Sequence, residues 1–461
     1  MAKELSPVDV IQTFLKRIEQ INPKVNAFCT LNPEGALMQA KQAEQAIIKG
    51  ERLNPLHGIP VAIKDLTPTR GLRTTYGSLV YAEHVPDVDA ICVQRIKQAG
   101  AIILGKTNTP EFGYKGTTDN KLFGPTRNPW ALDKTAGGSS GGAAAAVAAG
   151  LVPLAEGSDG GGSIRIPASL CGVFGFKPTY GRIPSGTGFH TENSFGYQHP
   201  FLHHGPLTRT VEDAALFYSV MAGPHPSDPF CLPEDPIDVV QSLQDGVQGK
   251  RVAYSRNLGW YEIDKEVEKA VEQGMQHLSE LGCYVEEVNL DFGLSKRTVD
   301  QAFNLLWLAH FASQHRGLLP RFKDQLSEDM VYIIEKGQQV SLMDYKHVER
   351  VRTKVWQTLQ QLFQTYDLLV CPTLAVAAFS YQIKGPSTIN DKEIHPASDW
   401  MLTPVFNLTG HPAASVPVGF TRDERPIGMQ VIGRRMEDSL VLRLAYAYEQ
   451  AFPWHTRKPG I

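Results

Sequence analysis

The chain has 461 residues, 42% of them hydrophobic, and a formal net charge of -3. That is enough apolar material for a large buried core without disulfides or structural metals. The charge leaves no electrostatic footprint for nucleic acid or an anionic membrane surface. Cys29, Cys92, Cys171, Cys231, Cys283 and Cys371 lie without CxxC spacing, as expected of reduced, mostly buried thiols. The opening MAKELSPVDV has no apolar leader segment. No apolar run reaches the roughly 18 residues that a membrane span needs. A cytoplasmic protein that binds no membrane is expected.

In chain order, Ser6-Pro7 followed by Val8, Ile11, Phe14, Leu15 and Ile18 predicts a capped amphipathic helix, and a second covers Pro33 to Lys49. Ile59 to Ile63, in HGIPVAIKDL, reads as a buried strand. DVDAICVQRIKQAG reads as a helix ending at Gly100, and AIILGKT as another buried strand. Helix followed by aliphatic strand recurs, which argues for an α/β class. Residues 130–190 are rich in Gly, Ser, Pro and small side chains and read as a loop region carrying function on a scaffold. A helix returns at Val211 to Met221. KRVAYSR is a strand, Lys265 to Leu281 a helix and CYVEEVNL a strand. From Lys296 to Tyr366 the pattern is nearly all helical. DLLVCPTL is a strand ending at proline; PAASVPVGF and PIGMQVIGR form a closing strand pair before a last helix, Glu437 to Ala451. The expectation is one α/β domain over 1–461 with a helical excursion at about 290–370.

Two short motifs fit their letters but not their physics. Gly100-Ala-Ile-Ile-Leu-Gly105-Lys106-Thr107 matches a P-loop, yet Ala-Ile-Ile-Leu wants burial as a strand, whereas a P-loop must expose backbone N–H groups ahead of a helix. Gly137-Gly-Ser139-Ser-Gly141 matches a nucleophile elbow, which must directly follow an apolar strand. Here the polar NPWALDKTA precedes it.

A third pattern is a constellation: Lys64 at the end of GIPVAIKDL, Ser139 in GGSSGG and Ser163 in GSDGGGSIRIP. Twice within thirty residues a serine follows consecutive glycines. A serine hydroxyl needs a base to act as a nucleophile. Lysine can be that base if burial removes its charge, with Ser139 between the two as proton shuttle. Glycines ahead of Ser163 let backbone N–H groups converge on one point, as an oxyanion hole requires.

GGSSGG, GSDGGGSIRIP and the upstream Lys64 closely resemble the amidase signature family of serine hydrolases. The likeness extends to TNTPEFG, FGPTRNPW, DLLVCPT and TGHPAASVP and covers roughly residues 5–455, with a signature core at about 55–200. The resemblance implies a single α/β domain around a large mixed, twisted sheet with helices on both faces. It implies Ser163 as nucleophile, Ser139 as bridging serine after a cis peptide bond, and Lys64 as base. Gly160, Gly161 and Gly162, with Ser163, match the oxyanion donors; Ser140, Asp159 and Arg165 match the polar braces. Many members carry Thr or Ile where this chain has Gly160, a departure expected to loosen the oxyanion loop or widen the pocket. Proline is frequent where Ala136 stands. Tyr114, Phe123, Trp307, Trp400 and Phe406 are candidate pocket residues, whose apolar character favours an aryl or alkyl amide. Esters and carbamates (urethanes) share the acyl chemistry. No metal or organic cofactor is implied, the partner is a small-molecule amide substrate, and a homodimer is compatible with the resemblance. The alternatives are a glutaminase subunit of a tRNA-dependent amidotransferase and a non-catalytic binding protein on the same scaffold.

Overall fold

The computed structural model describes residues 5–190 and 201–461. The first four residues of the N-terminal segment and the last ten of the 55–200 core lie outside the described residues. One twisted eleven-stranded sheet runs through the molecule. Its strands, in chain order, are β1 Phe28–Leu31, β2 Pro60–Lys64, β3 Ile102–Thr107, β4 Leu154–Asp159, β5 Phe174–Lys177, β6 His203–Thr208, β7 Arg251–Tyr254, β8 Tyr284–Glu287, β9 Leu368–Pro372, β10 Ala413–Phe420 and β11 Pro426–Gly433. Across the sheet the order is β1-β3-β2-β4-β6-β5-β10-β11-β9-β7-β8. The ladder is parallel over β3-β2-β4 and over β9-β7-β8, and antiparallel elsewhere.

The principal helices are α1 Pro7–Val25, α2 Pro33–Lys49, α3 Ile91–Gln98, α4 Gly141–Ala148, α5 Arg165–Cys171, α6 Val211–Met221, α7 Lys265–Glu280, α8 Lys296–His315, α9 Glu328–Gly337, α10 Leu342–Leu362, α11 Pro404–Thr409 and α12 Asp438–Ala451. They flank the sheet, whose strands contribute to two large apolar clusters. One gathers α1, α2, α4 and α5 with side chains of β2, β3, β4 and β6, and the other gathers α3, α6, α7 and α12 with side chains of most of the strands. The helical stretch after residue 296 is cut into pieces by serine caps. Ser295, Ser327 and Ser341 each accept a backbone N–H of the following first turn, from Thr298, Met330 and Asp344.

One expectation needs correction and another holds. Residues 130–190 are not mainly loop: they contain β4, β5, α4 and α5. β4 reads LAEGSD, and a strand ending in Glu, Gly, Ser and Asp carries loop composition although all six residues are buried. Its polar side chains face partners rather than water. Ile102 to Thr107 is a fully buried strand paired on both edges, so its backbone N–H groups serve the sheet and not a phosphate.

The glycines of GGSSGG are required by crowding more than by torsion. Gly137 alone among them has a left-handed φ, +77°. A Cβ on Gly138 would meet the Thr117 backbone at 2.7 Å, and one on Gly142 would meet Asn108 N at 2.3 Å and Ala27 O at 2.6 Å. The alanines that follow make α4 thin enough to bury every residue from Gly141 to Val147, packed against β4. Gly142→Ala, a change that ordinarily strengthens a helix, is therefore expected to destabilise this protein by about 1–3 kcal/mol. A lowered midpoint in urea unfolding checks it.

Candidate active site

β2 and β4 are neighbours in parallel register, which brings Lys64 beside Ser158. Lys64 is 0% exposed. Its Nζ donates to Ser139 Oγ at 2.7 Å, to Ser158 Oγ at 3.0 Å and to Ser158 O at 3.3 Å. No carboxylate among the described residues touches it. Burial lowers its pKa to about 7, against the opposing pull of the Glu156 and Asp159 charges. Ser158 and Glu156 lie two apart on β4 and so share a face. Glu156 accepts the backbone N–H of Lys64 at 3.1 Å, while Ser158 receives its side chain. Neither residue stands out in the sequence; the only signal is polar alternation in a segment that proves to be a buried strand.

Ser139 follows the cis Gly138–Ser139 peptide and is almost fully buried. Ser140 ties the two serine loops together. Its N–H donates to Ser163 O at 3.1 Å, its Oγ donates to Ser158 O at 3.2 Å, and that Oγ accepts Ser158 N–H at 3.3 Å. Ser163 is partly exposed and lines a cavity of about 500 Å³.

The loop bearing Ser163 is shaped by Asp159 and Arg165. Asp159 Oδ1 accepts Gly162 N–H at 2.7 Å, and Arg165 donates to Oδ1 and Oδ2 at 2.9 Å each. Arg165 reaches on to Thr403 O at 3.0 Å, Asn407 Oδ1 at 2.6 Å and Gln430 Oε1 at 2.5 Å. Asn407 Nδ2 returns to Asp159 Oδ1 at 2.8 Å. Burial alone would raise the Asp159 pKa; the Arg165 guanidinium more than offsets it and holds the carboxyl well below the ordinary carboxylate range. Thr403, Asn407 and Gln430 lie more than two hundred residues along the chain, beyond the reach of any local pattern.

This bracing corrects the expectation for Gly162. The peptide joining Gly161 to Gly162 is held at both ends, its carbonyl by Thr403 Oγ1 at 2.7 Å and its N–H by Asp159. The Gly162 N–H is therefore spent inside the loop. Gly162 is needed for its φ of +124° and because a Cβ there would lie 2.0 Å from Thr403 Oγ1. Gly160 departs from expectation in another way. The space beside it is not empty: a Cβ on Gly160 would sit 2.4 Å from Trp307 Cζ2, and one on Gly161 2.7 Å from Phe303 Cζ. The third glycine admits an indole instead of widening the pocket.

Tyr114, Trp307 and Trp400 line the cavity with Ser163, Ile166 and Met401. Phe123 and Phe406 do not. Phe123 lies under the Arg73 guanidinium, 5.4 Å from it. Phe406 follows the cavity residue Pro404 by two positions on α11, which turns it about 200° away into the main core. At the cavity's outer part Tyr114 Oη donates to Asp329 Oδ2 at 2.7 Å, and Lys384 pairs with the same carboxylate at 2.8 Å.

Among the described residues, Cys92, Glu156 and His204 hold their ligand atoms within 4.8 Å of one another. Glu156 already faces His204 Nδ1 at 2.8 Å and accepts Thr67 Oγ1 and the Lys64 N–H. Burial, with the Glu156 charge, pushes the Cys92 thiol well up, away from the thiolate a metal would need. Glu156 and His204 are a hydrogen-bonded pair beside a buried thiol.

Residues 9–442 match the Amidase family profile. The chain belongs to the amidase family. It is 39% identical over 461 residues to the acylamidase of Rhodococcus erythropolis, covering 100% of this chain and 95% of that one. It is 37% identical over 485 residues to a glutamyl-tRNA(Gln) amidotransferase subunit from a Cyanothece species, covering 100% and 98%. Among solved structures, a bacterial aryl acylamidase of the amidase signature family superposes with a TM-score of 0.93 at 34% identity, over 99% of this chain and 95% of that one. The chain is thus an amidase with that family's fold, a single domain whose mixed sheet is flanked by helices. No helix among the described residues is long and apolar enough to cross a membrane.

Asp159→Asn keeps the shape of the brace but leaves Arg165 charged and unpaired in a dry site. Such breakage typically costs about 3–5 kcal/mol, and a urea titration at neutral pH should show a loss of that size. Because the folded carboxyl titrates below its ordinary value, its contribution is complete above about pH 4 and fades only as pH falls further. Wild type and variant should therefore converge in acid.

Proposed function

We propose that this amidase hydrolyses linear carboxylic amides through an acyl-enzyme, with Ser163 as nucleophile, Ser139 as relay and Lys64 as base. The observation that carries this is the 2.7 Å contact of Lys64 Nζ with Ser139 Oγ, with no carboxylate among the described residues on the lysine. Desolvation leaves Lys64 substantially neutral near pH 7, so its amine can take the Ser139 proton as Ser139 takes that of Ser163. Ser163 Oγ then bonds to the carbonyl carbon. The N–H groups of Gly160, Gly161 and Ser163 receive the oxyanion. The proton travels back through Ser139 to the amide nitrogen, and the C–N bond breaks with a neutral amine leaving. Water attacks the acyl-enzyme by the same relay, releasing the acid and restoring Ser163.

The aromatic cavity beside Ser163 supports an aryl or alkyl amide as substrate, as do the likenesses to an acylamidase and an aryl acylamidase. Six unpaired cysteines suit a reducing compartment, and we place the enzyme in the cytoplasm. The second reading, a glutaminase subunit, is favoured by the 37% identity to one component of an amidotransferase. Ammonia release from glutamine by this chain only when a second subunit is present would establish it instead.

The deciding experiment is labelling with a fluorophosphonate followed by peptide mapping. One adduct on the peptide bearing Ser163, absent in Ser163→Ala, is expected; an adduct elsewhere, or none, overturns the nucleophile. Lys64→Ala should lower kcat by about 10²–10⁴-fold. For the wild type, kcat/KM should rise about tenfold per pH unit up to about 7, where Lys64 loses its proton, and then level off. Glu156→Gln removes a negative charge that favours the ammonium form, so the acid limb should move to lower pH.

A further inference from the structure

Gly160 and Gly161 do not need to be glycine for their backbone: neither has a φ in the left-handed region, unlike Gly162. What excludes a side chain at each is an aromatic ring from α8, Trp307 at Gly160 and Phe303 at Gly161. Phe303, Trp307 and Phe311 recur every four residues and so lie along one face of that helix. The face is rigid. Trp307 stacks on Phe311 with centroids 5.1 Å apart and planes 26° apart, and Phe201 packs on Trp307 and Phe303 at 6.0 and 5.8 Å. Phe303, Trp307 and Phe311 all line the cavity that holds Ser163.

We propose that Gly160 and Trp307 act as one specificity-determining pair: the indole stands where a side chain at 160 would be and sets the width of the pocket beside Ser163. This rests on the acyl-enzyme reading above. A carbonyl held by the Gly160 and Gly161 N–H groups brings the substituents on its neighbouring carbon close to the indole. A flat aryl group can lie along that ring face, a favourable arrangement for aromatic pairs. A branched carbon next to the carbonyl meets it edge-on, where its extra methyl competes with the ring for the same space. The pair therefore selects amides that are unbranched at the carbon beside the carbonyl.

The test compares acetanilide with its branched analogue, 2-methylpropionanilide, in wild type, Trp307→Phe, Trp307→Ala, Gly160→Thr and the double variant Gly160→Thr/Trp307→Ala. Trp307→Ala should raise the branched-to-unbranched ratio of kcat/KM about tenfold, with Trp307→Phe between it and wild type. Gly160→Thr alone should lower kcat/KM for both substrates about a hundredfold. Adding Trp307→Ala should recover at least tenfold of that, since the threonine then has room. A ratio unmoved in both Trp307 variants, or a double variant no better than Gly160→Thr, overturns the pairing. A wild type that hydrolyses amides without labelling at Ser163 overturns the acyl-enzyme reading, and the pairing falls with it. A wild type labelled at Ser163 whose ratios do not move overturns the pairing alone.

Discussion

The active site depends on one buried ion pair, Asp159 with Arg165, both 0% exposed. Charges this deep are tolerated only when each lone pair and each N–H has a partner, and here they do. Asp159 collects the Gly162 and Ile164 N–H groups, the guanidinium and Asn407; Arg165 spends its remaining N–H groups on Thr403, Asn407 and Gln430. The pair fastens the end of β4 to the start of α5, and both to α11 and β11. The loop between β4 and α5 carries Ser163, so the nucleophile candidate stands on a frame that joins the signature region to the C-terminal third of the chain.

The same low-polarity setting acts on Lys64 in the opposite sense. Arg165 is paired with Asp159, whereas among the described residues Lys64 Nζ meets hydroxyls and a carbonyl, so burial works against its ammonium form. Two buried basic residues thus have different roles because, among the described residues, one has a carboxylate partner and the other does not. Glu156 is near enough to temper the effect, but it touches the Lys64 backbone and not its amine.

Much of this was legible in the sequence. Aliphatic runs such as Ile59 to Ile63 and DLLVCPTL give strands because no other element buries both faces of so short a segment, and serine before an amphipathic run gives a helix start. Lys64, Ser139, Ser140, Asp159, Ser163 and Arg165 were legible from glycine spacing and family likeness, and the fold brings them together. β4 was not, because a strand that supplies a polar site looks like a loop when its partners are unknown. Phe123 and Phe406 were misplaced in the pocket for the converse reason: an apolar ring carries no mark of whether it faces a cavity or the core.

The sequence by itself determined the family, the alternation of helix and strand, and the chemical groups available to the site, since local spacing and residue type suffice for those. Only the tertiary structure decided which N–H groups remain for a substrate and what fills the space beside them. Gly162 is turned inward by Asp159, and Gly160 faces an indole that comes from a helix more than a hundred residues away. Such contacts arise where distant segments are packed against one another, and no pattern within either segment records them.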